Sequence, residues 1–395
     1  MVLSPEAQLL LAAGATGPAA DAALRALLAR PLDWERVILL ANREKAAPVL
    51  VRRLGVLRDA SVPAEALTQL RRIAMVVEFK MLHLRQRLEE SLAALEGEGI
   101  RPVLLKGAAL AYTRYGSFAE RPMGDLDLLV TADEAQRARE VLLGAGWVWN
   151  EAVRSDADYV GHHHLPPLED RGGGSAKLEI HTELFIGGHP FRLSSEVVRQ
   201  GALEVRAGGR LVRVPTALHT LLHTCLHFAW SHNMRLSSWR AFRDVAVVTA
   251  GEFPWAEFVE LARENRASTC CYWTLRLARG LTGLAVPAFV LDALKPPLAE
   301  FLMARLERHF ITQLFPTEPD CPSVTFDKLM WGAGVMPRWS GHGRSRPWDE
   351  ADPQLERRRP QRPTGSSRAV RQLRNLERWS RYVRAVLAPA PAKAE

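Results

Sequence analysis

VLLKGAALAYTRYGSFAERPMGDLDLLV, residues 103–130, is the stretch whose reading decides the fold. Its end, DLDLLV, alternates polar and apolar residues with a period of two. That pattern predicts a strand over 125–130, with Asp125 and Asp127 on one face and Leu126 and Leu128 turned into a core. Its start belongs to a short apolar strand over 101–105, after which Lys106-Gly107 opens a helix predicted over 107–115. A strand that runs into a helix in this way aims free backbone N–H groups at a phosphate. Two adjacent carboxylates repel unless cations lie between them, and hard divalent ions with oxygen ligands suit such a pair. Each feature is common alone. A D-x-D pair often marks no more than a solvated strand edge, and many α/β turns carry a glycine.

A third acid lies downstream. Residues 177–184, KLEIHTEL, predict a strand with Leu178 and Ile180 inward and Glu179, His181 and Glu183 on a polar face. A phosphate-binding turn, two paired acids and a third acid on a later strand are more specific together than any member. In that order they resemble the DNA-polymerase-β-like nucleotidyltransferase superfamily, whose pattern is hG[GS], then [DE]h[DE]h, then h[DE]h. More narrowly, the chain resembles the bacterial family of uncharacterised nucleotidyltransferases. The residues that carry this are Lys106-Gly107-Ala108-Ala109-Leu110, Arg121, Gly124-Asp125-Leu126-Asp127, Leu178-Glu179-Ile180-His181, and Leu221-Leu222-His223 with His227, His232 and Asp244. The resemblance covers roughly residues 60–280. Two departures stand out: Ala108 takes a position where the superfamily often has Ser or Gly, and the third acid is Glu rather than Asp.

The resemblance implies an α+β fold, a nucleotidyltransferase-like mixed β-sheet core with helical N-terminal and C-terminal regions. It implies that Asp125, Asp127 and Glu179 are the catalytic, metal-binding acids, holding Mg²⁺ (or Mn²⁺) against a nucleoside triphosphate. An acceptor hydroxyl would then attack the α-phosphorus and release pyrophosphate. Lys106, Gly107, Arg121, Gly124 and His181 would face the nucleotide, with Lys106 and Arg121 as phosphate contacts. For Arg121 a structural ion pair with the acids is an equal alternative. Removing one charge from the acid pair relieves repulsion, so Asp125→Asn and Asp127→Asn are expected to leave stability unchanged or raised.

His219, His223 and His227 recur every four residues and line one stripe of a helix predicted over 216–230. The spacing is also a zinc-ligand spacing, but the general-base Glu of HExxH is missing. His227 and His232 match family positions and are expected to wall the nucleotide or acceptor pocket while His219 packs. Asp244 is expected to bind a ribose or base, or to pair with Arg240 or Arg243. His162-His163-His164 falls in a predicted strand or edge loop over 159–168, where one or two rings could reach the site.

The organisation around this core follows from punctuation. Residues 1–97 read as a helical N-terminal region, including a long helix at 63–94, and 98–214 as the α/β core. Short strands are predicted at 147–149, 203–206 and 211–214, with a helix at 133–143 and a tight connection at 171–175. Residues 215–336 form a helical C-terminal domain. Residues 337–368 are a Pro-, Arg- and Gly-rich linker, and 369–395 form a basic amphipathic helix and tail. That last helix is expected to dock through Val370, Leu373, Leu376, Trp379 and Val383.

Of 395 residues, 47% are hydrophobic and 24% charged, and the formal net charge is +8. That is an ordinary globular composition with a leaning toward polyanionic partners. Four cysteines without CxxC pairing or zinc-ribbon spacing, and no basic leader, point to a reducing cytoplasm. No apolar run reaches the ~20 residues of a membrane span. The expected activity is nucleotidyl transfer from an NTP to an unidentified acceptor: a small molecule, a protein or tRNA. The competing readings are a catalytically silent nucleotide- or partner-binding module on the same fold, and an RNA-binding protein using its basic tail. An RNA or anionic-surface contact through that tail is the weaker partner expectation, because an exposed helix would leave an apolar stripe in water.

Overall fold

The computed structural model describes residues 3–15, 18–57, 61–150, 154–172, 176–207, 209–235, 237–315, 321–337 and 368–387. Five helices come first: α1 (Pro5–Gly14), α2 (Pro18–Leu28), α3 (Trp34–Arg43), α4 (Ala47–Leu57) and α5 (Ala64–Gly97). The core follows with β1 (Val103–Leu104), α6 (Lys106–Thr113), β2 (Asp125–Leu129), α7 (Ala132–Gly144), β3 (Trp147–Val148) and β4 (Leu168–Asp170). It continues through β5 (Lys177–His181), α8 (Ser195–Gln200), β6 (Leu203–Ala207) and β7 (Arg210–Val214). The C-terminal helices are α9 (Ala217–Leu226), α10 (Ser238–Val248), α11 (Trp255–Glu264), α12 (Ser268–Thr282), α13 (Ala288–Leu294), α14 (Glu300–Leu314), α15 (Val324–Val335) and α16 (Arg368–Leu387). The fold is α+β, as the residue pattern implied. Among the described residues no helix is long and apolar enough to cross a membrane.

The described strands form one mixed sheet in the order β3-β4-β5-β2-β1-β7-β6. β2 and β5 pair in parallel at its centre, and β1 runs antiparallel to β2. Leu126, Leu128, Leu178 and Ile180 are buried at 0–1% exposure, as the period of two required. β2 stops where Thr131 caps α7 in a reciprocal capping box with Glu134.

Two cores meet along α5. Its first turns put Leu70 and Ala74 into a core shared by α1, α3 and α4 with α9–α15. Its later turns put Val77 to Leu95 against the sheet. At 34 residues the helix spans about 51 Å, long enough to serve both. The helices before and after the sheet are thus one packed body, although the chain visits the sheet between them. Gly14 shows how close this packing is. Trp239 Nε1 donates to Leu10 O at 2.9 Å, and Arg243 Nε donates to Gly14 O at 3.1 Å.

Several expectations need correction. Residues 159–168 are not a strand. They hold the end of a 3₁₀ turn (Asp156–Tyr159), a single bridge between His164 and His181, and only the first residue of β4. The helix expected over 216–230 stops at Leu226 and continues as a π-helical turn, His227–Ser231. The tail helix docks through a different stripe. Tyr382 and Val386 are buried, Trp379 packs partly, and Leu376 and Val383 face solvent. Val370 and Leu373 have side chains outside the described set, as does nearly all of the expected linker, residues 338–367. Most of the connection at 171–175 and Gly208 of the hairpin also lie outside the described residues.

A Cβ added to Gly14 would come within 2.7 Å of Trp239 Nε1 and 3.0 Å of Arg243 Cδ. Trp239 is fully buried and cannot swing away. Gly14→Ala is therefore expected to destabilise the fold by about 1–3 kcal/mol. Urea unfolding measures this, and an unchanged midpoint would show that α1 and α10 can slide apart freely.

Candidate active site

The three acids converge. Asp127 is the register partner of Glu179 across the parallel β2–β5 pair, and Asp125 sits two residues earlier on the same face. Asp125 opens the strand in contact with solvent, Asp127 is only 2% exposed, and Glu179 is half-buried. Asp127 Oδ1 accepts a hydrogen bond from Lys106 Nζ at 2.6 Å and lies 2.8 Å from His181 Nε2. The same Nε2 is 3.3 Å from Glu179 Oε2. A ring nitrogen between two carboxylates is assigned as the N–H donor.

The electrostatics follow from this crowding. Burial alone would raise Asp127, but the Lys106 charge and the hydrogen bond from His181 hold it well below the usual carboxylate range. Asp125, although its end of the strand reaches solvent, is raised by lost hydration among its neighbours and then by the charges of Asp127 and Glu179. Burial would lower Lys106, yet Asp127, Glu179 and Asp125 hold it above its ordinary value. His181 likewise stays raised against burial and against Lys106, because Asp127 and Glu179 accept from it. One negative charge is neutralised within the cluster and its neighbour on β2 is strained.

In front of Asp125 and Asp127 lies a cavity of about 550 Å³ between the sheet and the helical body. A groove of about 640 Å³ between α9, α11 and α13 is larger, but its walls include Leu218, Glu257 and Phe289 and none of the three acids. Volume therefore does not identify the site; the carboxylates do. Basic side chains from both helical regions clamp the loop that leads into Asp125. Lys45 Nζ donates to Met123 O at 3.1 Å, and Arg240 Nη1 to Pro122 O at 3.2 Å. Arg121 Nη1 donates to Pro122 O at 3.0 Å, and Arg243 Nη1 to Glu120 O. Burial and the neighbouring Arg240 lower Lys45 to about 8. Lys45, Lys106, Asn233 and Ser237 all line the cavity at positive φ, a left-handed conformation unusual for residues with a Cβ. Gly107 needs no such φ but needs to be small, since a Cβ there would press on Arg121 and Met123 at 3.3 Å.

Histidines also line the cavity. His223, His227 and His232 line the cavity, with ring centroids 6.1 Å apart for the first pair and 4.1 Å for the second. Burial, then the Lys106 charge, lowers His223 to about 3, and burial and His232 hold His227 well below its usual value. Both rings are neutral near pH 7. His219 lies apart beside Gly201. His163 and His164 approach the acids, their rings 5.1 and 5.2 Å from that of His181, and His164 Nε2 is 3.8 Å from Glu179 Oε2.

With this arrangement in view, a comparison with protein families finds that the profile of an uncharacterised nucleotidyltransferase family matches residues 30–283. That is well over half of the chain. The chain belongs to this family. It is a transferase of nucleotidyl groups, and a nucleoside triphosphate is its implied substrate. No curated protein and no solved structure matches it.

Two expected ligands turn out to be each other's partners. Arg121 Nε lies 2.6 and 2.9 Å from the two Asp244 oxygens, and Tyr115 OH donates to Asp244 Oδ1 at 2.8 Å. Arg121 thus forms an ion pair, but with Asp244 rather than with Asp125, Asp127 or Glu179. Asp244 pairs with Arg121 rather than with Arg240 or Arg243. Both still line the cavity, as do Lys106, Gly107, Gly124, His227 and His232. Nothing local marks Lys45, which follows α3 with no motif around it. His223 was legible as part of the i, i+4 stripe but was not separated from its neighbours.

The pairing also alters what charge removal should do. Asp244→Ala leaves buried Arg121 unpaired and is expected to cost about 3–5 kcal/mol. Asp127→Asn is expected to destabilise, because Lys106 and His181 lose the negative charge they pair with; a raised melting temperature would contradict the geometry. Asp125→Asn is expected to stabilise near pH 7. Its folded-state pKa is raised, so its ionised form costs stability above that pKa. The cost disappears as pH falls below the ordinary carboxylate range. Thermal melts of Asp125→Asn and wild type should accordingly differ at pH 7 and converge at acid pH.

Proposed function

We propose that the chain transfers a nucleoside monophosphate from an NTP to a hydroxyl-bearing acceptor at Asp125, Asp127 and Glu179, with release of pyrophosphate. The observation that carries this reading is the register of β2 and β5, which sets Glu179 opposite Asp127 beside a cavity walled by Lys45, Arg121 and Arg240. The donor chemistry fits a hard divalent cation. Asp125 and Asp127 line the cavity, the ligand atoms of Asp127, Glu179 and His181 lie within 4.8 Å of one another, and the raised Asp125 reports negative charge that a cation would offset. Asp125, Asp127 and Glu179 would hold Mg²⁺ or Mn²⁺, which when bound supplies Lewis-acid stabilisation of phosphoryl oxygens.

The chain's own residues do the rest. Lys106 and His181 keep Asp127 ionised and fix its orientation. Lys45 and Arg240 present positive charge toward the phosphates, and Arg121, locked on Asp244, holds the wall. Glu179 takes the proton of the acceptor hydroxyl as its oxygen bonds to the α-phosphorus. The bond from that phosphorus to the bridging oxygen breaks, and pyrophosphate leaves with the electron pair. Neutral His223 and His227 supply hydrogen bonds without drawing phosphate to the wrong wall. Four buried free thiols support placing this chemistry in the reducing cytoplasm.

The test is a transfer assay with α-labelled NTPs and Mg²⁺ or Mn²⁺ against small hydroxyl compounds, protein and total tRNA. Asp125→Asn and Glu179→Gln are each expected to lower turnover by at least ~100-fold. Glu183→Ala should stay within a few-fold of wild type, since Glu183 turns away to accept from Ser195 Oγ at 2.9 Å. Unchanged turnover in the Asp125→Asn, Asp127→Asn double variant would sink the assignment.

A further inference from the structure

We propose that His309, Cys321 and Asp327 form a second metal site, suited to Zn²⁺, where the C-terminal helices meet. The three residues come from α14, from the residues before α15, and from α15 itself. Their ligand atoms all lie within 4.8 Å of one another, and the residues are 0%, 7% and 3% exposed. Zinc–nitrogen and zinc–oxygen bonds of about 2.0–2.2 Å at tetrahedral angles put those two ligand atoms about 3.3 Å apart. His309 Nε2 is 3.1 Å from Asp327 Oδ1. A mixed N, S and O donor set favours zinc over magnesium or calcium.

The surrounding partners decide between a metal site and an ordinary hydrogen-bonded pair. His309 Nδ1 is 2.7 Å from Tyr382 OH, and Asp327 Oδ2 is 3.0 Å from Arg235 Nη2. Metal-ligating histidines typically donate their other ring N–H to such a partner, and ligating carboxylates are held in turn from behind. With Nδ1–H given to Tyr382, the Nε2 lone pair faces Asp327 and Cys321. The Nε2 contact to Asp327 does not have hydrogen-bond geometry, although both groups are buried. With that tautomer two acceptors face each other there, which a cation between them would resolve. Cys321 donates its thiol proton to Ser323 O at 3.4 Å. On binding, that proton leaves to solvent and a sulfur–zinc bond forms, with water as the fourth ligand.

The site would fasten three parts of the molecule. Tyr382 belongs to α16, so a metal held by His309 helps to seat the tail helix. Arg235 lines the cavity in front of Asp125 and Asp127, so the same metal supports that wall. None of the three ligands belongs to the nucleotidyl-transfer site, and the proposal stands or falls independently of it.

The experiment uses full-length protein without a polyhistidine tag. Purified protein, dialysed against buffer, is expected to retain one zinc per chain by elemental analysis. Chelation should lower its melting temperature and re-addition of Zn²⁺ should restore it. Cobalt-substituted protein should show thiolate-to-cobalt absorption in the near ultraviolet, lost in Cys321→Ser. Zinc content should fall in His309→Gln and Asp327→Asn and stay intact in Asp125→Asn. Tyr382→Phe should weaken affinity by ~10-fold. If a variant does not fold, the chelation and cobalt measurements on wild type still decide. Zinc-free protein whose melting temperature ignores added Zn²⁺, or cobalt protein without a thiolate band, overturns the proposal in favour of a metal-free polar cluster.

Discussion

The fold has to hold three carboxylates within reach of one another on two adjacent strands, and their mutual repulsion is the constraint that the rest of the structure answers. Parallel pairing of β2 and β5 makes the crowding unavoidable, because it puts Asp127 opposite Glu179. Like charges this close cannot remain ionised in a protected space without compensation. Lys106 supplies it by entering α6 at a φ of +47° and donating to Asp127. A left-handed backbone at a lysine is costly and persists only where its surroundings enforce it. Here the charge it neutralises is the reason. His181 adds a second donor from the strand that carries Glu179, so one ring serves two acids. Asp125 is left over, raised and facing the cavity.

Holding that arrangement needs both helical regions. The loop before Asp125 has its carbonyls taken by Lys45 from the N-terminal helices and by Arg240 and Arg243 from α10. Arg121 within the loop is locked on Asp244 of α10, with Tyr115 as a third partner. A buried ion pair of this kind gains little against an apolar replacement but is expensive to break at one end. It therefore acts as a register pin between sheet and helices. The shared hydrophobic core beneath α1 and α10 supplies the free energy, and the buried polar contacts select which packing is reached.

Much of this was legible in the sequence, and the reasons are specific. A strand with one buried face must alternate, so Leu126, Leu128, Leu178 and Ile180 set the three acids on the other face. The α+β order and most elements follow from the same periodicities. What the sequence could not show is pairing across distance. Nothing local relates Arg121 to Asp244, 123 residues away, or Lys45 to Met123, 78 residues away. The 159–168 segment misled because its apolar and aromatic residues imitate a strand, whereas His163 and His164 are used to cover His181 and Glu179. The tail stripe was misplaced because a helix with apolar residues on two sides does not declare which side docks. Tyr382 wins by burying a ring and hydrogen-bonding His309 through its hydroxyl.

The cavity is polar in a directional sense. Lys45, Arg121 and Arg240 crowd one end, and burial together with mutual repulsion lowers both Lys45 and Arg240. Cations held this close together lose free energy of hydration and gain none from each other, so an anion entering between them recovers both deficits. The histidine wall works the other way. Burial strips His223 and His227 of their protons, and Lys106 helps to keep them neutral. Neutral rings can hydrogen-bond a sugar, a base or an acceptor, but they offer a triphosphate no charge.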